Sequence, residues 1–283
     1  MTLESVIAEL KGKMIRLHQR ASTRLVVCSA DVLCVNGMYP YFVAGLENGK
    51  VLFYTRGSVE EVLLTPELAG HPITAVHRGR YLWVAEKEGS LIKFENNKLI
   101  GQVTTRHRFM PPCGKFQNDY FMAIHEQDGR IYAGTAIGGM YVLNNETLQL
   151  PSGVETLLFA ARGITKIKAT QNTVYFLGKD PHHVDPTGRP VSMGANMQNM
   201  PDMTICNETA YAASGYKILQ FGKSGKIEKD LELNSPLTLI ETVKWNSGEA
   251  LLIRTQDNEM KIVNPQTLEE HSYQALTGRL AIL

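Results

Sequence analysis

The stretch Tyr41-Phe-Val-Ala-Gly-Leu-Glu-Asn-Gly-Lys-Val-Leu-Phe53 reads as two short strands joined by a polar glycine turn. Aromatic and β-branched residues suit a pleated, half-buried surface, and Glu-Asn-Gly is turn chemistry. The phrase returns as Tyr81-Leu-Trp-Val-Ala-Glu-Lys-Glu-Gly-Ser-Leu-Ile-Lys-Phe94 and as Ile131-Tyr-Ala-Gly-Thr-Ala-Ile-Gly-Gly-Met-Tyr-Val142. Weaker copies run from Val174 to Val184, Ala210 to Phe221 and Ala250 to Val263. Aligned on Phe53, Phe94, Val142, Val184, Phe221 and Val263, the copies are spaced 41, 48, 42, 37 and 42 residues apart. A four-stranded propeller blade takes about 40–45 residues. One small sheet cannot bury both its faces, and neighbouring sheets around an axis do that for each other.

The N-terminus supplies a seventh copy. Val6-Ile-Ala-Glu-Leu-Lys-Gly-Lys-Met-Ile-Arg-Leu17 repeats the strand, glycine turn and strand, and Arg24-Leu-Val-Val-Cys28 follows as an outer strand. This copy lacks an innermost strand, while Gly278-Arg-Leu-Ala-Ile-Leu283 is a strand left over at the other end. Joined, the two remainders are blade-sized. The sequence therefore predicts an all-β fold, a seven-bladed β-propeller of four-stranded antiparallel blades. It forms one domain over 1–283, closed by a blade built from 1–28 and 278–283. Leu3, Ile7, Leu10 and Met14 also fit one face of an amphipathic helix, but only the strand reading explains the orphan C-terminal strand.

Blades converge on the axis, so small residues are expected where they meet, and Ala8, Ala44, Ala85, Gly134 and Ala213 fit that expectation. Leu177 and Arg254 break the pattern; Arg254 calls for an acidic partner or a wet channel, since a lone buried charge is costly.

Composition narrows the class further. Among 283 residues there are 29 Lys+Arg and 28 Asp+Glu, so the net charge of +1 argues against a chain built to wrap nucleic acid. No apolar run approaches the roughly 20 residues that span a bilayer, which argues against membrane insertion. Met1 to Lys13 carries Glu4 and Glu9 and lacks the pattern of a secretory signal. Cys28, Cys34, Cys113 and Cys206 form no CxxC pair. Free thiols and a cytoplasmic location, with the nucleus as the other option, are the expectation.

On period and strand pattern the whole chain resembles a divergent WD40-type propeller. Gly70-His71 matches the family's Gly-His, and Val184-Asp185 stands where the family carries Trp-Asp. The other blades end in Phe53-Tyr54, Phe94-Glu95, Val142-Leu143, Phe221-Gly222, Val263-Asn264 and Leu17-His18, so the family's His–Ser/Thr–Asp–Trp hydrogen-bond network is not carried over. Such a fold implies a rigid platform for partners.

Two groups of residues could carry function. The first is a set of inter-blade loops. Thr104 to Phe116 brings Arg106, Arg108, Phe109 and Met110 beside a stiffening Pro111-Pro112 pair. Glu155 to Arg162, with Phe159 and Arg162, is an unusually apolar connection, and Met193 to Met203 carries Met193, Met197 and Met200. Arginine, aromatics and methionine are enriched in protein interfaces, although methionine also fills irregular core gaps. All three loops are read as outer-to-inner connections, which places them on one face. The expected function is a non-catalytic scaffold that binds a peptide or protein there, within a complex. The second group takes the residue after the last aliphatic of each inner strand: Asn36, His77, His125, Lys168, Cys206 and Lys244. These would ring one mouth of the axial channel, and the alternative is an enzyme or a small-ligand or metal-binding propeller built on them. His182 and His183, adjacent on a strand, point to opposite faces and do not converge on an ion. The sequence contains no nucleotide-binding, nucleophile-elbow or zinc-protease motif in usable context. Neither a cofactor nor a resident metal is expected.

Overall fold

The computed structural model describes residues 3–19, 22–105, 108–109, 117–148, 157–158, 163–171, 173–178, 181–184, 190–193, 200–222, 224–246, 248–267 and 269–283. They form a seven-bladed β-propeller. Each blade is a four-stranded antiparallel sheet, and six blades follow sequence order from the axis outward. Their inner strands are Val32–Met38, Ile73–Arg78, Phe121–Gln127, Lys166–Ala169, Asp202–Cys206 and Leu237–Trp245, in blades 1 to 6.

Blade 7 joins the two ends of the chain. Its inner strand, Arg279–Ile282, pairs with Ile7–Lys11 in the register Ala8 opposite Ala281, and Met14–Gln19 and Ser22–Val27 complete the sheet. Backbone bonds between Val6 and Leu283 extend that seam. The alternative N-terminal helix does not form: Gly12, at φ +55°, turns the strand Ile7–Lys11 into Met14–Gln19. The only helix among the described residues is a single 3-10 turn at Pro66–Leu68.

Seven apolar clusters make up the core, one at each contact between neighbouring blades. The cause is the two-residue period of a strand. In Tyr41–Leu46, Phe42, Ala44 and Leu46 pack toward blade 7, while Val43 packs toward blade 2. Every blade thus buries both faces by using its neighbours.

Strand pairing corrects where the small residues sit. Opposite the equivalent inner-strand position stand Leu10, Gly45, Ala85, Gly134, Leu177, Ala213 and Arg254. Ala44 is one residue off this level and Ala8 two; the strand of blade 7 is placed by its partner Arg279, which sequence period cannot see. A Cβ on Gly134 would come within 2.5 Å of Ile164 Cβ, and one on Gly45 within 2.6 Å of Cys34 Sγ. Among the described residues no ion pair joins half-buried Arg254 to an acidic side chain. Its guanidinium donates to the carbonyls of Gly278 at 2.7 Å and Leu276 at 3.4 Å, on the segment that leads into the closing strand.

The segment 155–162 is also corrected. Leu157–Leu158 pairs with Gly139 and Met140 as the outer strand of blade 3, so it is not purely a connection.

Candidate functional site

Four inner strands open on a bulge at the same level: Val32/Cys34, Ile73/Ala75, Phe121/Ala123 and Leu237/Leu239. Lys166 opposite Leu177 and Asp202 opposite Ala213 mark that level in blades 4 and 5. Two residues further along, on the same side of each strand, lie Asn36, His77, His125, Lys168, Thr204 and Glu241. The structure thus brings Asn36, His77, His125 and Lys168 to one level. It does not bring Cys206 and Lys244 there. In blades 5 and 6 aliphatic residues continue past the ring, to Ile205 and Val243, so the last aliphatic residue is no marker of height. Cys206 is fully buried beside Tyr211, and Lys244 is exposed near the end of a nine-residue strand.

The charged partners that sequence reading missed at this ring are acidic. Glu241 Oε1 lies 2.6 Å from Lys166 Nζ, and its Oε2 lies 3.2 Å from Lys168 Nζ. Lys166 also pairs with Asp202 Oδ1 at 2.6 Å. Asp202 accepts the backbone N–H groups of Met203 at 2.9 Å and Ile240 at 3.0 Å. Lys166 therefore reaches from blade 4, past blade 5, to blade 6. Burial pushes the Glu241 carboxyl up, but Lys166 and Lys168 outweigh it and hold it down at about 2. The two lysines and two carboxylates cancel.

On the other side of the ring, the rings of His77 and His125 meet edge-on at 6.0 Å. Burial lowers both to about 4, helped by His125 acting on His77 and by Lys168 acting on His125, so both imidazoles are neutral at pH 7. His77 Nε2 lies 3.7 Å from Glu126 Oε2. Asn36 Oδ1 accepts the Arg78 N–H at 2.9 Å. Among the described residues, no group of three or more His, Cys, Asp or Glu side chains is arranged to hold a metal. His182 stacks on Phe176 and His183 lies beside Tyr175, so the two side chains part as alternation requires.

The opposite end of the propeller axis carries the outer-to-inner connections, which are stapled to the turns between second and third strands. Glu47 N donates to Asp31 O, Lys87 N to Pro72 O, Ala136 N to Tyr120 O and Gln256 N to Pro236 O, the same bond in four blades. Connections and turns thus share one face. There the connection between blades 2 and 3 builds a ribbon of its own, with Arg108 opposite Asn118 and Phe109 opposite Gln117, outside every blade sheet. Thr105 Oγ1 donates to Asp119 O at 2.5 Å and closes its base. Arg106, Met110, Phe159, Arg162 and Met197 lie outside the described residues. Met193 and Met200 are buried among Tyr175, Leu177 and Phe221, where they fill the contact between blades 4 and 5.

Cys28, Cys34 and Cys206 are free thiols, pushed up by burial to about 11, 12 and 12. No helix of the described residues is long and apolar enough to cross a membrane.

No family model and no curated protein matches the chain. Solved structures do. The computationally designed Ika8 protein superposes with a TM-score of 0.64 at 15% identity, over 88% of this chain and 77% of Ika8. BamB from Moraxella catarrhalis gives 0.61 at 16% identity, over 96% and 82%. BBS1N, solved in complex with ARL6DN, gives 0.58 at 13% identity, over 82% and 75%. At these identities the likeness is one of fold.

Proposed function

We propose that the protein is a non-catalytic propeller platform, one domain over 1–283, that captures a peptide or protein on the face of its outer-to-inner connections. The observation that carries this reading is the ribbon at Arg108–Phe109 and Gln117–Asn118, which belongs to no blade and is closed at its base by Thr105 and Asp119. A blade needs no such element, and binding residues concentrate on surface segments held by a rigid scaffold. Arg106, Arg108, Phe109 and Met110 supply the residue types that interfaces favour, with Phe159, Arg162 and Met197 on neighbouring connections. Met193 and Met200, as core side chains, support that face from beneath. The channel supports the same reading, because Lys166, Lys168, Asp202 and Glu241 neutralise one another. One neighbour in fold was solved with a protein partner, ARL6DN. We read the chain as a divergent relative of the WD40 type, working in the cytoplasm or nucleus as a subunit of a complex.

Replacing Arg106, Phe109 and Met110 together by alanine is expected to abolish capture of the partner, identified by mass spectrometry, with the melting temperature unchanged. Undiminished capture by that variant overturns the site.

A further inference from the structure

The far end of blade 6, away from the connections, holds two cavities of opposite character that share a wall. One is about 270 Å³ and lies between blades 5 and 6, lined by Tyr211, Ile218, Leu231, Leu251, Val263 and Pro265. Its rim carries Gln220, Gln266 and the two opposite charges of Lys229 and Asp230. An apolar cavity of about 150 Å³ already holds a benzene, so this one takes a large aliphatic or aromatic side chain. The second cavity is about 340 Å³ and is lined by Trp245, Glu249, Glu269 and the amides of Asn207, Asn246 and Asn264. Gln266 borders both.

The second cavity is lined by acidic, amide and aromatic side chains. Trp245 is partly exposed there and stacks on His271 at 5.8 Å, which fixes the indole plane. Among aromatic rings an indole attracts ammonium and guanidinium groups most. Glu249 is oriented by the Asn207 N–H, which reaches its Oε2 at 2.5 Å from the neighbouring blade. Glu269 adds a second carboxylate, and among the described lining residues there is no lysine or arginine. The nearby Lys261 is engaged by Glu270 at 2.7 Å.

We propose that this end of blade 6 is a second docking surface, for a peptide segment that presents one arginine or lysine beside one large apolar side chain. The cation enters the cavity lined by Trp245, Glu249 and Glu269, and the apolar residue enters the Tyr211–Val263 cavity. A chain that offers successive side chains suits two adjoining cavities, and the exposed Gln266 amide between them can pair with its backbone. Charge selects the segment at one cavity and size selects it at the other. The surface is distinct from the ribbon and does not depend on it.

A random peptide library displayed on phage, selected against the full chain, tests this directly. Enriched peptides are expected to carry Arg or Lys within a few residues of an aromatic or aliphatic one. Their binding should weaken about tenfold in the Glu249→Gln, Glu269→Gln double variant, whose exposed positions leave the melting temperature in place. They should also shift the emission of Trp245, the only tryptophan besides the fully buried Trp83, and that shift should vanish in Trp245→Phe. Arg108→Ala with Phe109→Ala should leave their binding intact, so failure here and failure of the ribbon are separable. Enrichment of peptides without a basic residue, equal binding by the double variant, or no enrichment at all overturns the proposal.

Discussion

The buried carboxylate of Glu9 holds the backbone of Gly278, 269 residues away: its Oε1 accepts the N–H of Gly278 at 3.0 Å and that of Thr277 at 3.2 Å. From the other side Arg254 takes the Gly278 carbonyl at 2.7 Å. The last strand is thus anchored at the residue that leads into it, before its own ladder begins. Burial raises the Glu9 carboxyl, but Gly278, His18 and Thr277 outweigh it and the net shift is downward. A carboxyl lowered in the folded state gives stability that is present above the ordinary carboxylate range and lost as pH falls through and below it. Glu9→Gln should cost about 1–3 kcal/mol near neutrality and flatten the acid limb of a melting-temperature profile. Deleting 278–283 should cost more, since it opens the ring. A Glu9→Gln profile parallel to that of the parent at all pH values counts against the anchor.

The bridge from Lys166 to Glu241 and Asp202 makes a different demand. Removing the shared cation leaves two buried carboxylates facing each other, and breaking a buried pair costs about 3–5 kcal/mol. Lys166→Met should therefore unfold at markedly lower denaturant than the parent. Glu241 itself, held at about 2, should keep an ionised carboxyl chemical shift in NMR titrations down to the lowest pH at which the fold survives. A Glu241 carboxyl that titrates near its ordinary range contradicts the network.

The ring of blades was legible because it is written in period and alternation, which depend on many residues at once. Tyr41 to Phe53 and Tyr81 to Phe94 state it outright, and the lone strand after Gly278 required the closure. The height of a residue along the channel was less legible. His77 and His125 follow a bulge that the sequence does not mark, and their last aliphatic residues, Val76 and Ile124, happen to fall at equivalent places. In blade 6 the inner strand runs on to Trp245, so counting from its end gave Lys244 and passed over Glu241. Arg254 shows the same limit: its odd place in the pattern was visible, but its carbonyl partners come from a segment that only folding brings near. Met193 and Met200 had two readings that composition could not separate, and packing between Tyr175 and Phe221 decided for the core.

His77 and His125 carry a pH dependence of their own. Both are lowered to about 4, chiefly by burial, so between about 6.5 and 4 the unfolded chain binds protons that the folded chain does not. Stability should be fully present above pH 6.5 and should decline as pH falls toward 4. Imidazole C–H resonances followed by NMR should show both rings neutral at pH 6, and His77→Gln should lessen the decline. Midpoints for both rings near 6.5 would remove the basis for it.

Gly134 and Ile164 test the packing of one blade against the next. The two residues belong to blade 3 and the entry to blade 4, and Ile164 N donates to Thr135 O at 2.8 Å, so neither backbone is free to retreat. A Cβ at Gly134 would sit 2.5 Å from Ile164 Cβ, well inside contact. Gly134 lacks a positive φ, so alanine meets no backbone penalty and the effect isolates overpacking. Gly134→Ala should destabilise by about 1–3 kcal/mol. Ile164→Ala alone should also destabilise, by leaving a cavity at a fully buried position. Combined, the two changes should cost less than their sum, because each relieves the defect of the other. A double-mutant cycle read by chemical denaturation measures that coupling, and strict additivity would show that the two blades do not meet at this point.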